Sequence, residues 1–103
     1  MTNAKTEVIE FVKDSTVIAA QISFQPFNHD SQVEVNMEFQ FRLGDNWDDF
    51  CNKLGFEYNS SFGTQQLFGT IWFQDGSWGT RGEYDGAEWW QHHTRPEIPE
   101  NLR

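Results

Sequence analysis

The stretch DGSWGTRGEYDG, residues 75–86, carries two Asp-Gly pairs ten residues apart with one short Trp- and Gly-containing segment between them. Asp-Gly tolerates the positive φ angles of a two-residue type I′ turn, so two such pairs around a strand-length segment predict two hairpin turns. The neighbouring segments, LFGTIWF and AEWWQHH, are rich in ring-bearing residues that suit strands. The expectation is a three-stranded antiparallel meander over residues 66–92. A glycine-rich loop built to hold a ligand is the competing reading, and the placement of the glycines decides against it. Two-residue turns set Phe73 opposite Trp78 and Trp72 opposite Gly79 in the first hairpin. In the second they set Gly82 opposite Trp89, Arg81 opposite Trp90 and Gly79 opposite His92. Gly79 and Gly82 then each stand beside a bulky ring that covers bare backbone.

This register sorts the side chains into two faces. Leu67, Ile71, Phe73, Trp78, Tyr84 and Trp89 fall on the expected core face, and Phe68, Trp72, Arg81, Glu83, Glu88, Trp90 and His92 on the other. Glu83 and Glu88 stand directly opposite each other, an arrangement that costs energy unless a cation is near, and Arg81 lies within reach of both. Trp90 opposite Arg81 allows the guanidinium to stack on the indole. Two readings of this second face remain open. One is a charge-balanced outer surface; the other is a partner-binding patch of Trp72, Arg81, Glu83, Glu88, Trp90 and His92, since Trp and Arg are enriched at the energetic centres of interfaces.

Outward from the meander, QVEVNMEFQFRL (32–43) alternates strictly between apolar and polar residues, the mark of a long strand with one wet face. TEVIEFV (6–12) and STVIAAQISF (15–24) are rich in β-branched residues and flank Lys13-Asp14, which predicts an N-terminal hairpin. QPFNHDS (25–31) and EYNSSFGTQQ (57–66) read as loops. GDNWDDFCNKLGF (44–56) has Asp45 as a helix N-cap, Asp48 and Asp49 in the first turn, and Trp47, Phe50, Cys51 and Leu54 at helical spacing, with Gly55 as the stop. The fold class is therefore α+β. It is a mostly antiparallel sheet of about six strands, made of an N-terminal hairpin, a long central strand and a C-terminal three-stranded meander, with one short helix packed on it through Trp47, Phe50 and Leu54.

A chain of 103 residues is one domain, and ten Phe and five Trp concentrate its apolar content in large rings. Sixteen acidic against seven basic residues give a formal charge of -9, a field that repels nucleic-acid phosphate and anionic membrane. One cysteine excludes an internal disulfide, and no apolar run is long enough for a membrane span, so a cytoplasmic location is expected. Opposed carboxylates at Glu83 and Glu88 could act as a general acid and base, but no cleft signature accompanies them and Arg81 favours keeping both ionised. His92 and His93 are adjacent on a strand and point to opposite faces, so they do not share a metal ion without a bulge. Cys51 sits among acids that disfavour its thiolate. The chain is read as a non-enzyme, with no cofactor and no metal site.

The segment GTIWFQDGSWGTRGEYDGAEWWQHHTRPEIPE, residues 69–100, resembles the endings of small uncharacterised proteins of phages and prophages. They share an apolar strand, a D-G turn, an R-G-E-Y-D-G-x-E-W-W run and a P-x-I-P tail. The resemblance covers the last third of the chain, carries no activity, and implies a mobile-element accessory protein, a class that often binds and blocks a host protein. The leading functional expectation is a non-catalytic protein-binding module. It would inhibit a basic, nucleic-acid-handling host protein in the host cytoplasm, presenting carboxylates where phosphates would sit as a DNA mimic. Such a module needs a contiguous acidic surface. Alternatives are a carbohydrate-binding domain, which needs two or more exposed Trp rings, and a structural subunit of a larger assembly.

Overall fold

A computed structural model describes residues 2–25, 37–58, 65–85, 87–96 and 98–102. The expected loop over 25–31 lies almost wholly outside them, as do the first half of the 32–43 strand, residues 59–64 and Gly86. The elements are β1 (Thr2–Asn3), α1 (Ala4–Val12), β2 (Val17–Phe24), β3 (Met37–Arg42), α2 (Trp47–Lys53), β4 (Glu57–Tyr58), β5 (Leu67–Phe73), β6 (Trp78–Tyr84) and β7 (Ala87–His93), followed by a single 3-10 turn at Glu100–Leu102. The chain is α+β. Its main sheet is antiparallel in the order β3-β2-β5-β6-β7, and β1 and β4 form a separate two-stranded ribbon.

The first half of the expected N-terminal hairpin is instead a helix. Ala4, Val8 and Val12 recur every fourth residue and are all buried, while Asn3 caps the helix by accepting from the Thr6 N–H at 3.1 Å. A stripe with a good cap outweighs the β preference of Val8, Ile9 and Val12, because burial against the sheet decides between two weak local propensities. Lys13 and Asp14 do form a turn, with the Ser15 N–H donating to the Val12 carbonyl at 3.0 Å. That turn joins a helix to β2. Lys13 carries it at φ 50° and ψ -119°, a conformation suited to glycine.

The alternating strand appears as β3, which among the described residues is an edge strand paired with β2. Phe39 and Phe41 are buried, and Trp47 and Phe50 of α2 lie 5.1 and 5.6 Å from the Phe41 ring. The helix therefore docks on the sheet through Trp47 and Phe50 of its ring stripe, with Met37 exposed at the margin. Its cap is Asn46, which accepts from the Asp49 N–H at 2.9 Å. Asp45, expected in that role, accepts from the Arg42 N–H at 2.9 Å in the preceding turn. Part of the expected 57–66 loop, Glu57–Tyr58, pairs with Thr2–Asn3.

The meander forms, and its second hairpin has the expected register: Arg81 faces Trp90, Gly82 faces Trp89 and Glu83 faces Glu88. The Asp85 end of that turn has φ 51°, as a type I′ turn requires. The first hairpin differs by one residue. Trp72 faces Trp78 and Ile71 faces Gly79. Its loop has three residues: the Gly76 N–H donates to the Phe73 carbonyl at 3.1 Å, and the Phe73 N–H donates to the Ser77 carbonyl at 2.9 Å. With Gly76 at φ 90°, this is a type I turn closed by a glycine bulge, an alternative that Asp-Gly serves equally well. One added loop residue turns every side chain of β6, and of β7 with it, to the opposite face from that expected.

Candidate ligand-binding face

The inverted register decides where the expected site residues stand. Arg81, Glu88 and Trp90 lie inside, under the helices, and their side chains are unavailable to a partner. Trp72 alone of the expected ring anchors lies outside, 41% exposed. Glu83 is exposed and opposite Glu88. His92 lies at the sheet end with its ring 5.6 Å from Phe73 and 6.3 Å from Phe11. Trp78, Tyr84 and Trp89, expected in the core, are on the outer face. The sequence held one signal for this: a Gly at 79 facing inward admits a ring from a helix. A Cβ there would meet Phe11 Cε2 and Cζ at 2.5 Å.

Inside, Arg81, Glu88 and Trp90 of the expected patch form an ionic network with two partners that sequence reasoning missed, Glu7 of α1 and Tyr58 of β4. The Arg81 guanidinium lies 2.7 Å from Glu88 Oε1 and 3.1 Å from Glu7 Oε2. Arg81 Nη2 also donates to the Tyr58 hydroxyl at 2.8 Å, and that hydroxyl donates to Glu7 Oε1. Glu88 accepts from the Gln66 and Leu67 N–H groups at 2.8 and 3.0 Å. The stacking expected of Arg81 is present, with the guanidinium carbon 5.1 Å from the Trp90 ring. Burial alone would pull the guanidinium down, but the hydrogen bond to Glu88 and the charge of Glu7 outweigh it and hold Arg81 above its ordinary value. Burial, and then the hydrogen bond to Glu7, push the Tyr58 hydroxyl well above the ordinary tyrosine range. Every charge here is spent on a neighbour, so the network fixes α1 and β4 to the sheet and offers no group to a substrate.

Asp75, Ser77 and His92 form a second cluster. The Ser77 hydroxyl donates to Asp75 Oδ1, and His92 Nε2 lies 2.9 Å from Ser77 Oγ. The two hydrogen bonds from Ser77 hold the Asp75 carboxyl below the usual carboxylate range. Here the serine hydroxyl donates its hydrogen bond to the carboxylate and not to the imidazole, which is not the arrangement that activates a serine nucleophile. Among the described residues no group of three or more His, Cys, Asp and Glu could hold a metal ion. No helix among them is long and apolar enough to cross a membrane.

The outer face of the five-stranded sheet is built differently. Cross-strand pairing lines its side chains up in rows perpendicular to the strands. One row runs Arg42, Ala19, Trp72, Trp78, His93, and the next Gln40, Gln21, Thr70, Thr80, Gln91. A third begins Glu38, Ser23, Phe68 and ends with Trp89 facing Gly82. The Trp89 ring lies over Gly82, where a Cβ would stand 2.8 Å from its Nε1. Trp78 and His93 stack at 5.6 Å, and Thr80 Oγ1 bonds His93 Nε2 at 2.7 Å. Beside the rings, Gln21, Ser23, Glu38, Phe68 and Thr70 line a hollow of about 210 Å³. A larger cleft of about 430 Å³ opens at the end of the sheet among Ser15, Thr16, Phe73, Gln74 and Asp75. Its one ring, Phe73, is already packed on Phe11, so it lacks the open stacking surfaces that the outer face provides.

Charge and rings are thus on different sides. The only Asp, Glu, Lys or Arg residues in the three rows are Glu38 and Arg42, both on the edge strand. Glu10, Asp14, Asp45, Asp48, Asp49 and Glu57 are exposed on the helices and their connections, interspersed with Lys5, Lys13 and Lys53. Comparison with protein-family models, curated proteins and solved structures gave no match to this chain.

Proposed function

We propose that the chain is a non-catalytic carbohydrate-binding domain whose binding surface is the outer face of the five-stranded sheet. The carrying observation is the combination on that face of open indole rings, Trp72 and Trp89 at 41% and 40% exposure, with a row of amides and hydroxyls and almost no charge. Sugar rings present apolar C–H faces that stack on indoles, and hydroxyls that pair with Gln, Thr, Ser and carboxylate groups. The experiment is binding of the protein to a glycan array and then calorimetry on the best ligand. Trp72→Ala and Trp89→Ala should each weaken binding at least about tenfold, with affinity unchanged between low and high salt. A strong salt dependence with no effect of either substitution counts against the reading.

A second reading is the acidic protein-binding module, an inhibitor of a basic host protein in keeping with the phage-like C-terminal third. The observation in its favour is the set of exposed acids on the helical side. That surface is interrupted by three lysines and contains none of the exposed indoles, so its partner would associate through charge and lose affinity as salt rises.

A further inference from the structure

Building on the carbohydrate reading, we infer that the ligand is a linear, neutral, extended oligosaccharide that lies across the strands, with one end unit in the Glu38 hollow. The geometry is that of a trough. Its floor is the row from Gln40 to Gln91, which crosses five strands and therefore spans about 19 Å, roughly four pyranose units. Its walls are the rows on either side, Trp72 and Trp78 along one and Phe68 and Trp89 along the other. Successive rows repeat about every 7 Å along a strand, so the walls stand roughly 14 Å apart, wide enough for one sugar chain and too narrow for a branched cluster.

The chemistry along the trough sets the ligand class. From β2 to β7 the floor offers amides and hydroxyls alone, so among the described residues of the three rows uronic acids or sulfated sugars would find no Lys or Arg beyond Arg42 at the rim and would meet the repulsive field of a chain of charge -9. At the β2–β3 end, the Glu38 carboxylate, the Gln21 amide and the Ser23 hydroxyl converge on the hollow, where a carboxylate accepts from neighbouring sugar hydroxyls and the Phe68 ring supplies a stacking face. A floor that crosses five strands in a single row, turning with the twist of the sheet, suits an extended β-1,4 chain better than a coiled α-1,4 chain.

The test is calorimetry of the intact protein with cello-, xylo- and malto-oligosaccharides of two, four and six units. Affinity should rise about tenfold or more from two to four units in a β-1,4 series and then level off. Gln91→Ala, at the far end of the floor, should weaken the hexasaccharide several-fold and leave the disaccharide unchanged, whereas Glu38→Gln should weaken both. Circular dichroism of each variant confirms an intact sheet. Equal affinity for two and four units, or a preference for the malto series, overturns the trough; if Trp72→Ala still abolishes binding in that case, the carbohydrate reading survives it. Binding to none of the three series overturns the trough as well, and only a glycan array negative at Trp72-dependent sites removes the carbohydrate reading with it.

Discussion

At Lys13 the backbone occupies φ 50° and ψ -119°, a region in which a side chain costs about 1–3 kcal/mol. The strain is local and exposed, so it is testable by relief. Lys13→Gly should raise unfolding free energy by about 1 kcal/mol in urea titration, whereas Lys13→Ala, which keeps the Cβ, should leave it nearly unchanged. Gly79 is the converse case. Its bare backbone seats the Phe11 ring, and Gly79→Ala would place a methyl carbon 2.5 Å from that ring. The expected outcome is a loss of about 1–3 kcal/mol, partly recovered by Phe11→Leu in the same chain. Arg81 answers to different physics. Arg81→Met leaves Glu88 buried without its counter-charge, for an expected loss of about 3–5 kcal/mol by thermal or chemical denaturation.

Within the meander, the two neighbouring indoles at the end of the R-G-E-Y-D-G-x-E-W-W run have opposite fates. Trp90→Ala removes a ring stacked on Phe11 and under Arg81 and should cost about 3–5 kcal/mol. Trp89→Ala, on the open face of the same strand, should cost under about 1 kcal/mol. A first hairpin with the two-residue loop would reverse the order, so denaturation of the two variants also checks the register. The strands themselves were legible because ring-rich runs and Asp-Gly punctuation are local signals. The loop length was not, because Asp-Gly closes both a type I′ turn and a type I turn with a glycine bulge, and the choice rests on which face can bury its residues against α1. The helix α1 is hard to read locally for a related reason: TEVIEFV satisfies strand and helix preferences alike, and Asn3, Ala4, Val8 and Val12 carry the helical pattern only when taken together. The candidate site inherited both errors. Arg81, Glu83, Glu88, Trp90 and His92 do share one face of the second hairpin, but that face turns toward α1 instead of toward solvent, and Trp72 stands on the other.

Across the whole molecule, ionisation and stability are linked through groups that the fold buries. Tyr58 and Cys51 both sit above their ordinary values of 10.0 and 9.0, each chiefly through burial. A folded-state value above the unfolded one stabilises fully below the ordinary value and is lost as pH climbs toward the folded one. The melting temperature should therefore hold up to about pH 9 and fall steadily above it, and Tyr58→Phe should flatten that fall while lowering the plateau. The surface is divided too, with carboxylates on the helical layer and rings on the sheet. Approach of a cationic surface to one side would leave the other side accessible, so the two proposed modes of binding can be separated by competition.

The ionic network joins residues from both ends of the chain, Glu7 in the first helix and Glu88 in the last strand. On a ribosome that adds roughly 5–20 residues per second, the helix emerges roughly 4–16 s before the strand that completes its socket. Throughout that interval Phe11 has neither Gly79 nor Trp90 to cover it. The nascent chain must hold its first helix exposed until the second Asp-Gly hairpin closes, so the step that commits it to its fold waits for the synthesis of β7.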